Sequence, residues 1–383
     1  MNDIKTVKER LYSLDLLKVL CMFMIVLGHG FLYGGTAAGI HPEGLQGPLA
    51  SLVATLGVGS VNIFILISGF FLSSQDFRLS RIIKLWLQVE FYSLLIMVLN
   101  MTVMGNDVSM KDMLIMIFPV SYNHFWFISA YFGLSLLSPL LNWCIVAMNK
   151  RQHFTAVFIL VFCFSLWSEI IPRSDPFGAG WGYCLTWFIV LYMTASYLRR
   201  YINREMIRTR KAFLFYLLLV LLIFFGNMLM NSLSHRFTFL QDYDMGSYFS
   251  RYNCILVYAA SVALFLAFLG MNIQSSFGKK VIGFVSKLTL GVYLIHGGPY
   301  TSHPVWKIFF SFLDIKGDNL YVSKVILASV LIFISCIALD WIRSLVFSLF
   351  ESRKGFNSFL DSVENGIRGV IDKACDRFFP DKD

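Results

Sequence analysis

Apolar runs of about twenty residues recur along the whole chain, and no other feature narrows its possible folds so far. Wound as an α-helix, a run of that length matches the hydrocarbon thickness of a bilayer. The helix also satisfies its own backbone groups where no water is available. Ten such segments are read: 14–33, 50–73, 83–104, 125–147, 154–171, 181–198, 212–231, 253–272, 283–300 and 322–348. Pro139 falls inside the fourth, which is expected to kink there. Composition agrees: charged residues are 14% of the 383 and apolar ones 57%, where a soluble domain carries about 25% charge. The expected fold class is all-α, a polytopic integral membrane protein of about ten transmembrane helices. Residues 1–350 form its membrane domain and 351–383 a tail.

The basic residues fall into alternate connections. One side collects Lys5, Lys8 and Arg10; Arg78, Arg81 and Lys84; Lys150 and Arg151; a run from Arg199 to Lys211; Lys279 and Lys280; and the tail. The other has no Lys or Arg between 34 and 49, then only Lys111, Arg173, Arg236, Arg251, Lys307 and Lys316. Positive charge marks the cytoplasmic side, so both termini are expected inside the plasma membrane, and the net charge of +9 is a topology signal. A nucleic-acid partner is excluded on the same ground. The first segment resembles a signal peptide, but Asp15 and Lys18 inside its core argue for a retained span. The seven cysteines have no CxxC spacing and are expected as small buried hydrophobes, with no metal site. The tail places Phe356, Leu360, Val363, Ile367, Val370, Ala374 and Phe378 at helical spacing, as a helix on the inner membrane surface or against a partner would. Its six basic and seven acidic residues give no attraction to anionic lipid. Oligomeric state is left open, a dimer included.

The first span, "LDLLKVLCMFMIVLGHG", keeps polar groups that insertion alone would discard. Lys18 and His29 are eleven residues apart, which at about 100° per residue puts them on one face, about 16 Å apart along the axis. Asp15, three residues before Lys18, joins that stripe and is spaced to pair with it. Ionisable groups at membrane depth point to function. Snorkelling of Lys18 and an interhelical hydrogen bond of His29 are the structural alternatives.

Other polar residues are expected to converge on this face. Asn62 lies in the second span, which ends "FILISGFFLSS"; "FRLSRIIKLW" then sets Arg78 and Arg81 at the inner surface beside Lys18. Guanidinium forks suit phosphate oxygens, and Glu90 in the third span is placed to neutralise one cation. "YNHFWFISAY" brings His124 and Trp126 to the outer interface, and "LTLGVYLIHGGP" puts His296 near the depth of His29.

These residues resemble the acyltransferase-3 family of bacterial membrane O-acyltransferases, from about residue 10 to 345. The family's first span carries a basic residue, ten arbitrary residues and a histidine, which Lys18 and His29 match. "ISGFFL", "RLSRI", "FWFISAY" and "GVYLIH" stand where its weaker signatures are expected. The resemblance implies transfer of an acyl group, acetyl above all, from cytoplasmic acyl-CoA to a hydroxyl of a surface polysaccharide or its lipid-linked precursor. His29 would then be catalytic and Lys18, Arg78 and Arg81 would hold the donor, with Asp15, Asn62, Glu90, Trp126 and His296 in support. No permanently bound cofactor is implied; acyl-CoA, the glycan and membrane lipids are the partners. Lys18 departs from the commoner arginine and loses its bidentate fork, and without an appended soluble domain the membrane part is expected to act alone.

The chemistry of the residues is compatible. A sugar hydroxyl needs a base, and imidazole suits that task near neutral pH; His29 would serve equally as an acyl carrier. Glu169, His296 or Asn62 would orient its ring. The outer segment 232–253 interleaves aromatic and hydrogen-bonding residues, as a carbohydrate contact or an interfacial connection would. Three other readings compete: a proton-coupled transporter or flippase relaying through Asp15, Glu90 and His29; a membrane O-acyltransferase of another fold with His296 as base; and a membrane sensor or scaffold using the tail helix.

Overall fold

A computed structural model of the chain describes residues 10–103, 107–170, 175–237, 245–351 and 354–378. Lys5, Lys8, Arg173 and positions 238–244 of the expected carbohydrate segment lie outside the described residues. Among the described residues every regular element is a helix. In order these are α1 (Tyr12–His29), α2 (Gln46–Gly57), α3 (Ser60–Leu72), α4 (Leu79–Thr102), α5 (Met110–Ile117), α6 (Trp126–Ala147), α7 (Lys150–Val161), α8 (Trp167–Ile170), α9 (Leu185–Tyr201) and α10 (Thr209–Arg236). They continue with α11 (Ile255–Leu269), α12 (Ser276–His296), α13 (Ser302–Phe312), α14 (Tyr321–Glu351) and α15 (Lys354–Phe378). A π-helical turn, Gly30–Gly35, extends α1.

Eight of these stretches are long and apolar enough to cross a membrane, so the chain is a polytopic membrane protein. The other two expected spans are helical too. However, α9 has 17 residues and α12 carries Lys279, Lys280 and Lys287. α9 and the C-terminal part of α12 sit inside the bundle. Trp187, Phe188, Val190, Leu191 and Tyr192 of α9 are fully buried, as are Val292, Leu294 and His296 of α12. A helix ringed by other helices need not present a continuous apolar surface to lipid. The outward-facing side chains lie elsewhere: Leu214, Leu218, Phe225 and Leu229 on α10 and Leu327, Ile334 and Leu345 on α14 are exposed, as lipid-facing residues should be.

α1 runs between two packing clusters. Leu14, Leu17 and Cys21 join one built mainly on α3, α9 and α11; Met22, Val26, Leu27 and Phe31 join another built on α4, α12, α13 and α14. α12 lies alongside α1 in the same direction, since Arg10 reaches Gly283 and Ser286 at one end and His29 meets His296 at the other. Pro139 leaves α6 a single helix of 22 residues. The carbonyl its ring strips of a partner, that of Ser135, accepts the Ser138 hydroxyl at 2.8 Å instead. Cys21, Cys254 and Cys336 are buried as expected, while Cys144 is exposed. The tail forms α15, which packs on α4 and α14. Of its apolar face Leu360 is buried, whereas Ile367 and Val370 are exposed.

Candidate active site

His29 is the last residue of α1. π-Helical turns concentrate at functional sites, and the one that follows sets Tyr33 on the same side, its ring edge-on to His29 at 5.1 Å. On the other side His29 Nδ1 lies 3.2 Å from His296 Nε2, and His296 Nδ1 lies 2.5 Å from the carbonyl oxygen of Val292. A carbonyl can only accept, so His296 carries its proton on Nδ1. Its Nε2 then accepts from His29 Nδ1–H when both rings are neutral. The chain of donors ends at His29 Nε2, which keeps a free lone pair.

His29 and Lys18 line one cavity of about 620 Å³. The Lys18 end is walled by Ser68, Gln75, Arg78 and Arg81, and the His29 end by Tyr33, His124, Trp126, Tyr252 and His303. Arg78 is the extended residue before α4 and Arg81 stands in its first turn, so the positive end of that helix dipole adds to the cationic end. Neither guanidinium has a hydrogen-bond or ion-pair partner among the described residues, nor has the Lys18 ammonium. Trp126 stacks on Tyr252 at 6.0 Å and 21° and meets Tyr183 at 4.6 Å. Among the described residues no three His, Cys, Asp or Glu side chains converge as metal ligands would.

The structure brings together His29, His296, Lys18, Arg78, Arg81 and Trp126, and corrects the other expectations. Asp15 pairs with Arg10 at 2.6 Å rather than with Lys18, because Arg10, held on α12, reaches the first-turn carboxylate from outside the helix. Asn62 is spent on structure: it accepts from Trp187 Nε1 at 3.0 Å and donates to the Tyr252 carbonyl at 2.8 Å. Glu169 accepts the Ile255 amide at 2.5 Å, capping α11. Glu90 lies off the cavity wall and pairs with neither Arg78 nor Arg81; its Oε2 is buried without a partner. Neither Asp15 nor Glu90 lines the cavity that holds His29. Residues 232–236 belong to α10, and within the described part of 232–253 the cavity is reached by Tyr252.

Two further histidines join the cavity: His124, expected at the outer interface but given no role, and His303, which sequence reasoning missed. His124 is buried on the cavity wall with Nε2 unpartnered, and its ring stacks on Tyr300 at 5.6 Å. His303, in the segment after α12, meets Tyr33 at 5.4 Å. The signal for His303 was a histidine beside aromatic residues in "PYTSHPVW".

With the geometry in place, comparison with known families is decisive. The acyltransferase-3 family model, described as an acyltransferase domain, matches residues 11–341. The chain belongs to the acyltransferase-3 family. No curated protein and no solved structure shows a significant match. The match runs from just before α1 into α14, so it contains every cavity-lining residue of this acyltransferase. Its apolar helices make it an acyltransferase of the membrane type.

Proposed function

We propose that this acyltransferase moves an acyl group, acetyl in the first instance, from cytoplasmic acyl-CoA to a hydroxyl of an extracytoplasmic surface polysaccharide or its lipid-linked precursor, with the plasma membrane as its site. The observation that carries the reading is one cavity with cations unpaired among the described residues at one end and an oriented imidazole pair at the other. On this reading Lys18, Arg78 and Arg81 hold the donor's phosphates at the inner face, where charge-assisted hydrogen bonds are strong. The thioester arm runs along the cavity toward His29. His29 Nε2 takes the proton of the acceptor hydroxyl as its oxygen bonds to the thioester carbonyl carbon. The carbon–sulfur bond breaks and the proton passes on to the departing thiolate. His296 is the positioning residue that keeps His29 in the reactive tautomer. Trp126 and Tyr252 offer aromatic faces to the sugar.

Purified protein tests this with labelled acetyl-CoA and a glycan acceptor. His29→Gln is expected to bind donor as wild type does yet lose about 10²- to 10⁴-fold in transfer. Lys18→Ala and Arg81→Ala should each weaken donor binding about tenfold or more, one charge-assisted contact contributing about 1.5–3 kcal/mol. Loss of donor binding in His29→Gln, with Lys18→Ala and Arg81→Ala unaffected, would reverse the assignment of the two ends. Pre-steady-state kinetics separate base from carrier, since only a carrier gives a stoichiometric burst of free CoA before acceptor is added.

A further inference from the structure

A second cavity of about 430 Å³ adjoins the first. Tyr33 and His303 line both, so the two spaces share the wall formed by that edge-to-face ring pair. The rest of the second cavity includes Lys307, Ser311, Asp314 and Lys316. His303, Lys307 and Ser311 follow at i, i+4 and i+8 on α13 and form one polar strip, with the buried Trp306 on its flank. Gly34 makes room for α13 here, because a Cβ on it would lie 2.4 Å from the Phe310 ring.

The charge in this cavity is not balanced. Lys316 pairs with Asp314 at 2.9 Å, and Lys324 donates to the Asp314 carbonyl and pairs with Asp318. Lys307 is exposed and has no hydrogen-bond or ion-pair partner among the described residues. Topology offers no reason for it: the side of the chain that avoids Lys and Arg nonetheless places two of them, Lys307 and Lys316, on this one cavity.

We propose that the second cavity binds an anionic group of the acceptor, a sugar carboxylate or a phosphate of its lipid-linked form, at Lys307, one helical turn beyond the His303 wall. The proposal rests on the reading of His29 as the site of transfer. It makes the acceptor acidic, with its reactive hydroxyl in the first cavity and its charge in the second.

The test reads binding, not transfer. Detergent-solubilised full-length protein is titrated with tetraglucuronate, inorganic pyrophosphate and neutral cellotetraose, with CoA at saturation to occupy the inner cations. At least one anion should bind tenfold or more tighter than cellotetraose, and which one does so identifies the source of the charge. Lys307→Gln should abolish that preference and Lys307→Arg keep it; Lys307 is exposed, so unchanged thermal unfolding verifies the fold. His29→Gln should leave the preference intact. Equal binding of all three probes, or a preference that survives Lys307→Gln, overturns the proposal; so does competition for the Lys307 site by phosphatidylglycerol but by neither anion, which would assign it to membrane lipid. If anion preference depends on Lys307 while wild type transfers no acetyl group to any glycan, the anion site stands and the reading of His29 falls.

Discussion

The reactive nitrogen of His29 is selected by a carbonyl group two contacts away. Val292 fixes the proton on His296, which fixes the proton on His29, which frees Nε2. Breaking that chain should damage rate more than binding. His296→Phe removes the acceptor for His29 Nδ1–H and lets the wrong tautomer form, a change that costs up to about 10⁴-fold in other base–orienter pairs. His296→Gln can offer an amide oxygen near the same place and should retain more activity. Initial rates across donor concentration check this: kcat should fall in the order wild type, Gln, Phe, with donor KM nearly constant. Wild-type kcat in the Phe variant would show that His296 serves packing alone. At this scale Lys18 and His29 were legible, because a fixed helical pitch turns spacing into a shared face. The partners of Asn62 and Glu169 were not, since each bonds to a segment distant in the chain; Arg10 is near Asp15 in sequence, but its hold on α12 is a tertiary contact.

Helices α4, α12 and α14 meet at Asp340, which is fully buried. It accepts the Tyr92 hydroxyl at 2.7 Å and Arg343 Nε at 2.6 Å. α12 presses against it at Gly291, where a Cβ would lie 2.0 Å from the carboxyl carbon. Gly291 is five residues before His296 on the same helix, so this contact sets where the imidazole pair stands. Removing one partner leaves a buried charge uncompensated, whereas removing both need not. Asp340→Leu should therefore cost about 3–5 kcal/mol, and the Asp340→Leu, Arg343→Leu double variant much less. Unfolding in detergent followed by tryptophan fluorescence checks the order; a double variant as unstable as the single one would refute a coupled pair. The sequence shows Asp340 and Arg343 three residues apart on an apolar helix, but not that α4 and α12 close over them.

For the molecule as a whole, the alternation of basic connections makes a topological prediction. With both termini cytoplasmic, a cysteine at exposed Ser311, in a background without other cysteines, should react with an impermeant maleimide added outside cells, and one at exposed Glu205 should not. The opposite pattern would invert the protein and place the Lys18, Arg78 and Arg81 end outside, where no acyl-CoA is available. The inverted labelling would thus remove the donor reading along with the topology.

By itself the sequence determined that the chain is helical and membrane-embedded, where most of the long helices lie, and that Lys18 and His29 share a face. Those properties depend on hydropathy over about twenty residues and on helical pitch, both local. Tertiary structure decided which helices stand inside. It shows α9 and the C-terminal part of α12 shielded by their neighbours, while the lysines of α12 stand in its more exposed first part. It also decided that His29 pairs with His296 across 267 residues and that Lys18 and His29 open into one cavity. A second basic cavity shares the Tyr33 and His303 wall for the same reason. Such proximities arise from how helices pack on one another, and no local pattern records them.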